Sequence, residues 1–185
     1  MRLLAPGSLG TAASALVVAL TLACAVSDLW KGKVYNFVTY PAIAIGLGLA
    51  VAQGGLPGLW SSLAGVAVCV VPALLPFWLG GLGGGDLKLL AAVGAVAGWP
   101  VAAEALLLTF VFAGLIALGG LAWHGRLFAT LGRALRSTAG VVVRKWRPQT
   151  QPTTALPPLR FAVAVCLGVL LTLWDLHTDA LARLL

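Results

Sequence analysis

The chain has 185 residues, 61% of them hydrophobic and only 9% charged, with a net charge of +7. Soluble domains carry roughly 25% charged residues, so the composition argues against a water-soluble protein and for a polytopic membrane protein with room for one compact domain. In so apolar a chain the basic excess reads as the positive-inside bias of cytoplasmic loops, with membrane lipid as the partner and not nucleic acid.

In chain order, Ser8 to Val26 is an apolar run long enough to cross a bilayer. Arg2, this run and Ala23-Cys24-Ala25 also resemble a cleavable signal peptide. The equally apolar chain that follows favours a first span. A polar segment, Ser27 to Asn36, carries Asp28, Lys31 and Lys33, and its Trp30 and Tyr35 suit a membrane interface. Phe37 to Ala52 is a second span, Gln53 to Gly58 an uncharged turn, and Leu59 to Leu79 a third span. Pro72 and Pro76 are expected to kink or loosen its last turns. Gly80-Gly81-Leu82-Gly83-Gly84-Gly85 then leads to Asp86 and Lys88. Leu87 to Trp99 follows, 13 residues that cover about 20 Å as helix. That is short of the ~30 Å hydrocarbon core, which puts Asp86 at or below the membrane border. Val101 to Trp123 and Leu159 to Leu176 complete the spans, the last introduced by Pro157-Pro158.

The spacing predicts an all-α polytopic membrane protein with six transmembrane helices, a single domain over 1–185. Residues 124–158 form its one long loop. There Leu127, Leu131, Leu135 and Phe128, with Arg126, Arg133 and Arg136, suit either a helix lying on an anionic membrane surface or a plain basic loop. Residues 147–154 read as an extended linker. Cys24, Cys69 and Cys166 fall in separate apolar runs with no CxxC pair, so neither a zinc site nor a disulfide framework is expected.

Alternating spans put residues 27–36, 80–86 and 124–158 on one side. These segments and their borders hold ten of the twelve basic residues, leaving Arg2 and Arg183 for the other. The bias makes the first side cytoplasmic and both termini non-cytoplasmic. Asp28 and Asp86, 58 residues apart in sequence, therefore share the cytoplasmic face. Two close carboxyl groups cannot easily both ionise, so they share a proton. One can then take a proton from water while the other donates to a peptide carbonyl. No histidine–glutamate metal motif and no GxSxG elbow offers a competing hydrolytic chemistry. The helix-end fields favour the protonated form at Asp28, after the first span, and the carboxylate at Asp86, before the fourth. Lys31 and Lys33 oppose this. Aspartates at span borders also suit a proton or ion path in a small transporter, and Asp86 alone suits a helix cap.

Gly83-Gly84-Gly85-Asp86 is a GxGD motif. With Leu87-Lys88 it resembles the second aspartate segment of type IV prepilin peptidases. Asp28, followed by Asn36 and Thr39, is similar to that family's first aspartate segment, with Tyr35 where the family usually has proline. Presenilin-like proteases share GxGD, but their Tyr-Asp motif is absent here. The resemblance implies an aspartic endopeptidase without metal or cofactor, acting in the cytoplasmic (inner) membrane with its active site facing the cytoplasm. Its substrates would be prepilins or pseudopilins, cut after a short basic leader. It implies catalytic Asp28 and Asp86, supported by Gly83, Gly84, Gly85, Lys88 and Asn36. The chain resembles the short form associated with Flp/tight-adherence pili, without the paired-cysteine region of the larger, methylating members.

Lys88 is expected to hold substrate, steady the dyad or snorkel to the interface, and Asn36 to hydrogen-bond near Asp28 or cap the second span. A mobile Gly80–Gly85 loop would let Asp86 approach Asp28 on substrate binding. Glu104 lies remote from the dyad. Asp175, His177 and Asp179 read as an exposed tail, with Asp179 and Arg183 paired at i,i+4.

Overall fold

A computed structural model describes residues 10–123 and 161–178. Among these the fold is all-helical: α1 (Thr11–Lys31), α2 (Asn36–Trp78), α3 (Gly84–Ala97), α4 (Val101–Trp123) and α5 (Phe161–Thr178). Three helices are long and apolar enough to cross a membrane: α1, α2 and, within α4, Val101–Gly120. α5 carries a shorter apolar stretch, Phe161–Leu176. The expected basic loop at 124–158, its surface-helix pattern and the Asp179–Arg183 pair lie outside the described residues. The chain divides into two compact units, Met1–Phe112 with Arg160–Leu185, and Ala113–Leu159. Of the second, the described part is the end of α4. The first holds everything that follows.

α1 runs on past the apolar stretch. Nothing in Ser27–Lys31 breaks a helix, so hydrogen bonding continues until Gly32, which adopts a left-handed conformation (φ 61°) and donates its N–H to the Asp28 carbonyl at 2.9 Å. The expected polar segment is thus a final helical turn carrying Asp28, then a short connection, Gly32 to Tyr35.

α2 joins the expected second and third spans. Its 43 residues are broken at Gly55 (φ 59°, ψ −142°), inside the expected turn. A straight helix would hold residues 46 and 65 about 28 Å apart. Yet Gly46 lies against Ala95 and Val96, and Gly65 against Gly94 and Gly98. The chain therefore folds back at Gly55 and sets both arms against α3. Helical geometry runs through Pro72 and Pro76 to Trp78, so these prolines do not shorten the second arm.

α3 is the short helix foreseen from the sequence and the most enclosed. Leu89, Leu90, Ala92, Val93 and Ala95 are all buried. Glycines let backbone approach backbone: a Cβ at Gly94 would stand 2.5 Å from the Gly65 carbonyl oxygen. Ser62 Oγ donates to the Ala95 carbonyl at 2.5 Å, and Ser61 exchanges two hydrogen bonds with Trp99, each 3.0 Å. Small residues and hydroxyls at such contacts are how helices associate where lipid removes the hydrophobic driving force. α1 and α5 pack against each other and against α3. Phe110 meets Phe161 edge-on at 6.4 Å, and Gly168 fits against Thr109.

Large exposed aromatics occur at both ends of this unit: Trp30, Phe37 and Trp78 near the start of α3, Trp60 and Trp99 near its end. That distribution suits the two borders of a bilayer.

Candidate active site

Asp28 lies in the last turn of α1 and is buried, 8% exposed. Cys24 precedes it by four residues, on the same face of the helix. Ser27 Oγ donates to the Cys24 carbonyl at 2.9 Å and to the Lys33 carbonyl at 3.2 Å, which folds the Gly32–Tyr35 connection back onto α1. Lys31 sits 5.6 Å from the centroid of the Tyr35 ring.

Asp86 lies in the first turn of α3, ahead of the apolar stretch that begins at Leu87, and its Oδ2 accepts the Gly83 N–H at 3.2 Å. This is the carboxylate half of a capping box; glycine has no side chain to return the bond. The helix-cap role is therefore real, and it engages one carboxylate oxygen. Gly85, one residue earlier, is a site of close approach. A Cβ there would stand 3.0 Å from Val34 Cβ and 3.3 Å from the Val34 carbonyl oxygen. Gly84 has only the Phe77 ring near it, at 3.8 Å, and Gly80 supplies a left-handed turn (φ 76°).

The two acids, distant in sequence, come within electrostatic reach of each other, and Cys24 lies within reach of both. Burial is the strongest influence on Asp86 and pushes its carboxyl from the ordinary 3.8 to about 6. The Gly83 N–H opposes the shift and the Asp28 charge adds to it. The helix-end field was expected to favour carboxylate at Asp86; burial outweighs it, because loss of water penalises the charged form directly.

Lys88 and Asn36 also meet. Lys88 Nζ donates to Asn36 Oδ1 at 2.9 Å and lies 5.1 Å from the centroid of the Tyr40 ring. Thr39 is buried, its hydroxyl bonded to the Asn36 carbonyl at 3.3 Å. Glu104, in the first turn of α4, lies beyond the far end of α3 and senses Asp175 instead. The four-residue spacing to Asp28 is the signal that could have pointed to Cys24. Val34 and Tyr40 carried no such signal, since their roles arise from contacts between segments distant in sequence.

A helical protein with apolar helices of membrane-spanning length thus brings two acids within electrostatic reach at one end of its bundle. The model of the type IV leader peptidase family matches residues 15–118, just over half of the chain, and spans both aspartate segments. The chain belongs to the type IV leader peptidase family, and is a leader-peptidase-like membrane peptidase. Comparisons with curated proteins and with solved structures gave no match.

Proposed function

We propose that the protein is an aspartic endopeptidase of the GxGD type that removes the leader peptide from type IV prepilins or pseudopilins, with Asp28 and Asp86 as the catalytic pair. The observation that carries the reading is the electrostatic pairing of two family-segment aspartates from different helices. In the working state the pair shares one proton. The ionised carboxylate takes a proton from water as it attacks the scissile carbonyl, and the protonated partner donates to the developing oxyanion. Return of the first proton to the amine nitrogen breaks the C–N bond and releases the new N-terminus, while the partner regains its proton from a gem-diol hydroxyl as the leader's C-terminal carboxyl forms. The raised titration of Asp86 supports a shared proton at near-neutral pH, since a carboxyl near 6 exchanges its proton readily there. Gly83, at the N-cap, and Gly84 and Gly85, which open α3, lead into Asp86: the Gly83 N–H binds its carboxylate and Gly85 seats the turn on Val34, with Lys88 and Asn36 in support.

The rest of the reading follows the charge distribution. Six membrane crossings, counting the two arms of α2 separately and including α3 and α5, form one peptidase domain over 1–185 in the inner membrane. Both termini face away from the cytoplasm, and the dyad and the basic 124–158 segment face it. Absence of a paired-cysteine region favours an Flp/tight-adherence pilin as substrate.

Co-expression with a prepilin tests this. Asp28→Asn and Asp86→Asn should each lower leader cleavage by at least about 10²- to 10⁴-fold while membrane insertion is kept. Unchanged cleavage in either variant would sink the dyad.

A further inference from the structure

Beside the two acids lies a cluster whose role their chemistry does not use. Asn36 and Tyr40 are four residues apart at the start of α2, so their side chains share one face of its first turn. Lys88 spans the gap to both, with its hydrogen bond to Asn36 Oδ1 and its ammonium over the Tyr40 ring. A charge-assisted hydrogen bond and a cation–π contact together fix an ammonium in direction as well as distance. Lys88 is two residues after Asp86 on α3, within the same short rigid stretch. That stretch is seated a second time where Gly85 presses on Val34. Residues 34–40 therefore grip residues 85–88 at two points, one on each side of Asp86. The chain that does the gripping leads back through Gly32 to the α1 turn carrying Asp28.

We propose that Lys88, held by Asn36 and Tyr40, is a positioning residue: it clamps the first turn of α3 onto the α1–α2 connection and thereby sets the apposition of Asp86 with Asp28. Its consequence for cleavage rests on the peptidase reading above; the clamp itself does not. A substrate-binding lysine would leave its ammonium to the ligand. This one, half-buried and with its hydrogen bond exposed to solvent, is turned onto two groups of a neighbouring helix.

The clamp is read directly by cross-linking in the full-length protein in membranes, with Cys24, Cys69 and Cys166 replaced by alanine and Val34→Cys and Gly85→Cys introduced. The Cβ positions there would stand 3.0 Å apart, about 0.8 Å inside the mean disulfide separation, so the seat opens slightly in this background and all rates are compared within it. Mild oxidation followed by maleimide mass-tagging gives the rate. Lys88→Met, which removes both contacts, should slow bridge formation about tenfold, Asn36→Leu, which leaves the Tyr40 contact, should slow it less, and the double variant should be no slower than Lys88→Met. Lys88→Arg, which keeps a donor and a cation able to stack on Tyr40, should restore the rate, as should Asn36→Asp, which keeps the acceptor. In the protein with native cysteines, Lys88→Met should lower kcat for leader cleavage by about 10- to 100-fold with KM within about twofold, the signature of misplacement. Lys88→Arg should recover most of it. Cross-linking indifferent to Lys88 and Asn36 would overturn the clamp, and a raised KM with unchanged cross-linking would give Lys88 to the substrate instead. Cross-linking that follows Lys88, found together with a wild-type protein that cleaves no prepilin, would uphold the clamp and sink the peptidase reading.

Discussion

Asp86 is pulled in opposite directions by its surroundings. Its position at a helix start and its bond from Gly83 favour charge; burial and the nearby Asp28 oppose it, and burial wins. A carboxyl whose folded-state value is raised from 3.8 to about 6 holds its proton more tightly folded than unfolded. Its contribution to stability is fully present below about 4 and is lost as the pH rises through about 6. Asp86→Asn has no such term and keeps an oxygen for the Gly83 N–H. Between pH 4 and 7 its stability relative to wild type should therefore rise, by on the order of 1 kcal/mol after discounting for partial exposure. Thermal unfolding in detergent at the two pH values reads this, and a difference independent of pH would contradict it. A neighbouring prediction concerns Gly85→Ala, whose added methyl would meet Val34 at 3.0 Å. It should reduce cleavage, whereas Gly84→Ala, facing only a ring at 3.8 Å, should be tolerated. Both acids stand out in the sequence because carboxylates are costly beside apolar runs. The separate roles of the glycines were not, since a glycine at a close approach, one at a positive φ and one in open space are written with the same letter.

The helices show where reading by hydropathy stops. The apolar run ends at Val26 but α1 ends at Gly32, because the backbone continues until a residue favours a left-handed turn. The break at Gly55 fell inside the expected turn, since Gly54, Gly55, Pro57 and Gly58 permit what the flanking runs do not. Packing between α2 and α3 gives the clearest test at this scale. Gly65→Ala and Gly94→Ala each force a methyl into the other helix's backbone and should each cost about 1–3 kcal/mol, as overpacking does. Gly48→Ala, with nothing within 4 Å, should be neutral or slightly stabilising because alanine loses less backbone freedom. Melting temperatures of the three variants decide it, and equal values would mean the α2–α3 contact is not close.

For the molecule as a whole, the charge distribution is the basis for the proposed cytoplasmic orientation of Asp28 and Asp86. Single cysteines at Lys33 and Gly81, both exposed and both at the acid end, should react with an impermeant maleimide only from the cytoplasmic side. One at exposed Gln53, at the Gly55 fold-back, should react only from the other. The reverse pattern would invert the orientation and move the proposed cleavage across the membrane.

The sequence by itself determined the class of molecule, the two acids, the GxGD segment and the shortness of α3. These depend on composition, local spacing and length. Tertiary structure alone decided that both arms of α2 pack on α3, that Gly85 seats on Val34, that Lys88 turns onto Asn36 and Tyr40, and that Cys24 lies near both carboxyl groups. The reason is physical. Helices in lipid are apolar on every side, so no amphipathic stripe marks the face that meets a neighbour. Which residues of α3 meet those of α1 and α2 is settled by the close fit of small residues and a few polar bonds, and these exist only once the segments are brought together.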